Sequence, residues 1–217
     1  MINGFSDYEK TETNEFEKTE KVELGGHLCK VLGVETEVVI SKKDGKQYNI
    51  LKIKFDLEAP DKQAGFYGRK FAADAKKDAL NAKWKGYYRL TIPTNESPDF
   101  AKTNWKTFIN SIEKSNPGTK IDGSQGFDEN ILIGKLFGGI FGLEEMTLPT
   151  DGRTITFSRI RFARSVEKIS EIPIPKVKLL DGTYVDYDEY IDKESDKKVE
   201  NKQNEFTPID SDDDLPF

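Results

Sequence analysis

One cysteine, Cys29, and one histidine, His27, are all that a chain of 217 residues holds of those two types. A single cysteine closes no internal disulfide, and together the two cannot furnish a closed four-ligand zinc site. The same scarcity leaves little from which to build the nucleophile–base pairs of acyl transfer. Gly134-Lys135 lies in a glycine-rich stretch but lacks the Gly-x4-Gly-Lys-Ser/Thr order that cradles a phosphate. Acidic pairs such as Glu144-Glu145 occur, yet nothing in their spacing singles them out for metal-ion catalysis. No apolar run approaches the roughly 18–20 residues of a membrane span. The opening Met1–Asp7 lacks the basic-then-apolar order of a signal peptide. These absences predict a protein that is not an enzyme, holds no metal or cofactor, and works off the membrane in a reducing cytoplasm.

What the chain has in quantity is charge, at 33% of residues, with a net value of -6. The average hides an uneven distribution. Residues 1–21 carry 3 basic and 6 acidic side chains, residues 22–170 carry 24 and 19, and residues 171–217 carry 6 and 14. A mildly basic body therefore bears an acidic arm, a pattern that suits a polyanion-binding domain and equally a solvated surface with a solubilising tail. We divide the chain into a polar extension (1–22), a folded domain (23–170), and a linker with an acidic tail (171–217).

Within the folded domain the periodicities alternate more than they spiral. Residues 27–40, rich in Val, Leu and Ile, predict one long strand bent at Gly33, and Asp44-Gly45 marks a hairpin turn. Residues 48–57 alternate, with Leu51, Ile53, Phe55 and Leu57 facing one side and Tyr48, Ile50, Lys52 and Lys54 the other. Residues 58–83 read as a long loop with a short helix near 74–81. A third strand follows over 84–93. Ser97 as N-cap and Pro98 at the first position open a helix carrying Ala101, Trp105, Phe108, Ile109 and Ile112 on one face, and Asn116-Pro117-Gly118 ends it. A fourth strand is expected over 131–141, its glycines implying strong coiling or a bulge, and a fifth over 154–164. Residues 178–185 suggest a small hairpin, and residues 191–211 are expected to be disordered. Three strands, a helix and two strands predict an all-β domain with one helix, a five-stranded OB-fold-like antiparallel barrel. An open α+β sheet is the alternative.

Single-stranded nucleic acid is held by cations that track the phosphates and rings that stack on bases. Both types lie interleaved on the faces left over by the core. Tyr48, Lys52 and Lys54 share one such face, Tyr87 and Arg89 another, and Arg159, Arg161 and Arg164 cluster in the fifth strand. The loop adds Phe66, Tyr67, Arg69 and Lys70, and Trp84 precedes the third strand. Trp105 belongs to the apolar stripe of the helix and reads as core. Phe157 and Phe162 differ by an odd number, so an unbroken strand sends one of them inward.

The last six residues, Asp212-Asp213-Asp214-Leu215-Pro216-Phe217, join an acidic run to an apolar tip. Such an arm can offer a ring to an apolar pocket and carboxylates to its basic rim. This ending resembles the acidic tip of bacterial single-stranded DNA-binding proteins, which close Asp-Asp-Asp-Ile-Pro-Phe, with Leu215 in place of the isoleucine. Met1–Phe5, Trp84–Pro93 and the helix closing on Ser115–Gly118 resemble a group of small single-stranded DNA-binding proteins from phages and prophages of Gram-positive bacteria. The resemblance implies sequence-nonspecific strand binding in phage replication and recombination, in the cytoplasm of an infected or lysogenic host. It also implies recruitment of replication and recombination proteins through the tail. Self-association into a homo-oligomer is compatible with this. A replication adaptor whose barrel holds protein rather than DNA is the competing expectation.

Overall fold

The computed structural model describes residues 20–41, 45–123, 126–148 and 152–193. Among these the protein is mainly β-sheet with few helices. In chain order the elements are β1 (Gly25–Ile40), β2 (Gln47–Leu57), α1 (Phe66–Lys77), β3 (Tyr87–Thr91), α2 (Asp99–Ser115), β4 (Leu136–Thr147), β5 (Thr154–Arg164), β6 (Val177–Lys178) and β7 (Tyr184–Val185). Short 3-10 helices cover Glu129–Leu132 and Val166–Glu171. Residues 1–19 and 194–217, and with them the whole tail from Asp212 to Phe217, lie outside the described residues.

β1 is the hub. It pairs antiparallel with β2 from Cys29 to Ile40 and with β4 from Gly25 to Lys30. The hairpin turns where the Asp-Gly pair predicts: Gly45 sits at φ +67 and Ser41 N–H donates to the Lys46 carbonyl at 2.8 Å, although Asp44 itself lies outside the described residues. The register slips by one between Val31 and Gly33, which makes Leu32 a bulge and bends the strand at the expected place. Alternation then does the rest. Leu51, Ile53, Phe55 and Leu57 of β2, and Tyr88 and Leu90 of β3, are buried under Phe108, Ile109 and Ile112 of α2.

Four expectations need correction. The first is closure. Strands run in the order β3-β2-β1-β4-β5, and β6 and β7 extend the sheet from β4. Among the described residues β3 and β5 share no ladder, so the sheet is open and not a closed barrel. β3 has only five residues, and the space between its edge and β5 is lined by Phe100, Ala101 and Asn104 of α2 together with Arg89, Arg159 and Arg161.

The second is the loop over 58–83, which contains α1, a second full helix. Its N-cap, Gly65, has no side chain to offer, so nothing local announces the start. The free amides are instead met from β2. Asp56 Oδ1 accepts from Tyr67 N–H and Asp56 Oδ2 from Gly68 N–H, both at 2.9 Å. The third concerns α2. Ser97 does not cap it, because its hydroxyl oxygen accepts from Thr94 N–H at 2.9 Å, and the helix begins at Asp99.

The fourth concerns the glycines before β4 and within it. Gly134 takes a positive φ of +80, but Gly138, Gly139 and Gly142 serve close approach. A Cβ on Gly138 would stand 2.1 Å from Ile169 Cγ2, and one on neighbouring Gly26 in β1 would stand 2.2 Å from the Ile169 carbonyl oxygen. Together they let the 3-10 helix Val166–Glu171 lie flat on β1 and β4. Gly26→Ala is therefore expected to lower the unfolding free energy by about 2 kcal/mol through overpacking against backbone. Gly123→Ala, where the added carbon meets only an ordinary contact at 3.7 Å, is expected to stay within about 0.5 kcal/mol of wild type. Urea denaturation of both variants checks the pair, and equal stabilities would reject the packing argument.

The segment after Ser170 packs onto the body. Val177 is fully buried and residues 187–193 are helical, so residues 191–193 of the stretch 191–211 expected to be disordered are ordered, and residues 194–211 lie outside the described residues. Tyr190 is buried too, its hydroxyl 2.6 Å from Thr156 Oγ1 and 3.2 Å from Glu145 Oε1.

Candidate nucleic-acid interface

The face of β1, β2 and β3 turned away from the core is built by the same alternation that fills the core. Register sets its rows. Gly33, Lys54 and Tyr87 lie side by side, then Glu35, Lys52 and Arg89, then Glu37, Ile50 and Thr91, with Val39 opposite Tyr48 at the hairpin end.

Rings and cations interleave along these rows. Lys54 Nζ stands 4.6 Å from the centre of the Trp84 ring and Lys52 Nζ 4.5 Å from that of Tyr87. Trp84 is held in place by its indole Nε1–H, which faces the carbonyls of Phe55 at 3.2 Å and Gly86 at 3.1 Å, and by Phe71 of α1. The residue packs half-buried against the core, with one ring face under Lys54. Two carboxylates from β1 complete the arrangement. Lys52 Nζ donates to Glu35 Oε2 at 2.9 Å, and Arg89 Nε lies 3.0 Å from Glu37 Oε1. The hydrogen bond to Glu35 raises the Lys52 ammonium above its ordinary value, so it stays charged. Sequence reading missed both glutamates, although their spacing of two marks one face of a strand.

A second cationic group sits across the gap between β3 and β5. Glu144 of β4 receives Arg159 Nη1 at 3.0 Å and Lys178 Nζ at 2.7 Å, with Arg161 Nη1 at 3.6 Å. Burial pushes the Glu144 carboxyl up, but the Lys178 hydrogen bond and the charges of Arg159, Lys178 and Arg161 outweigh it and hold the group below its usual range. Lys178 was missed because its segment was assigned to the linker. Arg89 lines the same cleft, of about 230 Å³, and so joins the two groups.

Other expected contacts fall elsewhere. Phe66 and Tyr67 are corrected from loop to core. They occupy the first turn of α1, buried, with Tyr67 edge-on to Phe55 at 5.2 Å, and present no open ring to a base. Arg69 turns to the Ala64 carbonyl and to Glu20 at 3.3 Å, and Lys70 lies over Phe66. Arg164 donates to the Ala163 carbonyl at 2.8 Å and covers Phe162. Neither Phe157 nor Phe162 enters the core. Arg161 is an extra residue in β5, so Ile160 and Ala163 are buried instead. His27 and Cys29 are buried in β1, and burial raises the Cys29 thiol. Among the described residues no three His, Cys, Asp or Glu side chains converge as a metal site would require, and no helix is long and apolar enough to cross a membrane.

No protein-family model matches the chain, and none of the curated proteins compared with it matches.

Proposed function

We propose that the protein binds single-stranded DNA without sequence preference, coating strands exposed in phage replication and recombination. The observation that carries this reading is the surface row Trp84, Lys54, Tyr87, Lys52 and Arg89, half-buried except for the exposed Arg89, in which rings and cations alternate along β2, β3 and the residue leading into β3. Rings accept any base and cations accept any phosphate, so the row needs no sequence code. The strand order supports an OB-fold reading, since β3-β2-β1-β4-β5 is the order of a five-stranded barrel parted between β3 and β5. Asp212 to Phe217 supports recruitment of replication proteins by its sequence alone.

Glu35 and Glu37 temper the interface. Lys52 and Arg89 must each exchange a carboxylate for a phosphate, so the net gain is Coulombic and falls with salt. Fluorescence polarization with labelled oligo-dT at two salt concentrations tests the proposal. Wild type is expected to bind at low salt and to weaken steeply as salt rises. Tyr87→Ala with Arg89→Ala is expected to weaken binding by about 2 kcal/mol, the order of one lost stacked ring, with unchanged thermal unfolding. No binding by wild type at low salt would favour the adaptor reading. Unchanged affinity in the double variant removes this face from the site.

A further inference from the structure

Arg161 is placed by a bulge. The β4–β5 ladder pairs Phe141 with Ile160 and Ile140 with Phe162, leaving Arg161 as the unpaired extra residue. A bulge re-aims a side chain, and here the stem of Arg161 crosses the open position of Gly142, where a Cβ would stand 2.8 Å from Arg161 Cγ. The side chain is only 12% exposed. Its Nη1 is buried and makes no hydrogen bond, since the nearest carboxylate oxygen, Glu144 Oε2, lies 3.6 Å away.

Glu144 is already engaged by Arg159 and Lys178. Three cations thus share one carboxylate, and the guanidinium, which cannot shed its charge, lines the cleft with its buried Nη1 unmet and its Cζ 5.5 Å from the centre of the Tyr184 ring. What the cleft lacks is one more anionic acceptor. A guanidinium fork fits the two free oxygens of a phosphodiester.

We infer that the cleft between β3 and β5 is a phosphate site, in which Arg161 and Arg159 hold one phosphodiester of a bound single strand. The inference rests on the single-strand reading for the source of the phosphate. Arg89 sets the path. It lies two residues along β3 from Tyr87, about 7 Å, and lines the cleft from the opposite wall. A base stacked on Tyr87 therefore leads its backbone past Arg89 and into the notch.

Arg161→Met keeps the stem over Gly142 and removes only the fork. It is expected to weaken oligo-dT binding about tenfold at low salt, as losing a hydrogen bond between charged groups does. The slope of log affinity against log salt is expected to shallow by about 0.7, one phosphate contact on a single strand. Arg164→Met, whose guanidinium already serves the Ala163 carbonyl, is expected to leave both unchanged. Glu144→Gln removes the competing carboxylate and is expected to tighten binding, which keeps the inference testable should Arg161→Met unfold. In parallel, inorganic phosphate is expected to raise the melting temperature of wild type beyond chloride of equal ionic strength, and not that of Arg161→Met. Wild-type binding with an unaltered slope in Arg161→Met, or weaker binding in Glu144→Gln, overturns the phosphate site and leaves the single-strand reading standing. Stabilisation by inorganic phosphate through Arg161 without oligo-dT binding by wild type overturns the strand as its source.

Discussion

Replacing Phe137 by alanine is expected to lower the unfolding free energy by about 4 kcal/mol, more than any other single change argued for this protein. For a domain of this size that corresponds to a fall in melting temperature of about 8–16 °C. The reason is its place in the open sheet. Phe137 stands opposite Cys29 on β4 and is fully buried. Its ring meets Phe55 of β2 at 6.1 Å, Tyr88 of β3 at 6.4 Å and Phe108 of α2 at 5.8 Å. With no β3–β5 ladder among the described residues, these ring contacts couple β3 to β4 across the core, and they join α2 to β4 alongside the two hydrogen bonds between Asn116 and the Leu136 backbone. Removing the ring costs its transfer energy and leaves a cavity bounded by three elements that cannot all move inward. Phe137→Leu retains most of the volume and is expected to cost about 1 kcal/mol. Thermal and urea unfolding of both variants measures the difference. A loss under about 1.5 kcal/mol for the alanine variant would mean that the core collapses freely there, and the coupling argument would fail.

The parts of this structure that could be read from the chain are those whose causes are local. The alternation in β2 placed Leu51, Ile53, Phe55 and Leu57 inward, and they are buried. The turn at Asp44-Gly45 carries more than its own geometry. Counting outward from a two-residue turn there would put Glu37 opposite Lys52 and Glu35 opposite Lys54, whereas the ladder closes on Ser41 and Lys46 and sets Glu35 against Lys52 and Glu37 against Ile50. Either count sets odd positions of β1 against even positions of β2, so the face that the carboxylates share with Lys52 and Lys54 was legible, but their partners were not. The Arg89–Glu37 pair was not, because it spans two strand pairings and depends on the long connection through α1. α1 itself was hidden for a tertiary reason, its amides being met by Asp56 from the preceding strand. The parity of Phe157 and Phe162 misled for a similar reason. A single extra residue, Arg161, shifts the phase of β5, and the signal of a bulge in an isolated sequence is nil when the residue is not glycine. Gly138 and Gly142 were read for curvature, whereas their cause is what lies on top of them, Ile169 and Arg161.

The single histidine, read from the sequence as an ordinary strand residue, is the centre of a buried polar network. His27 Nδ1 lies 3.0 Å from Asp61 Oδ2, and its Nε2 lies 3.0 Å from the Glu23 carbonyl. Both ring nitrogens thus face protein oxygens. Asp61 does more than pair with it. Its carboxylate also accepts from Leu28 N–H at 3.1 Å and Gln63 N–H at 2.9 Å, and Gln63 in turn accepts from Glu23 N–H and donates to the Lys21 carbonyl. One carboxylate thus fastens the residues before β1, the start of β1, and the turn that leads into α1. Both partners are more than nine-tenths buried. Asp61→Ala strips the imidazole and two backbone amides of their acceptor at once, and the expected loss is about 3 kcal/mol. Asp61→Asn leaves an oxygen in place and is expected to lose less. In a double-mutant cycle, His27→Gln is expected to add little to Asp61→Ala, because the interaction it removes is already gone. Urea titration of the four proteins measures this. Additive losses, or a loss below about 1 kcal/mol for Asp61→Ala, would show that water replaces the carboxylate without cost and that the network is not what holds this end of the sheet.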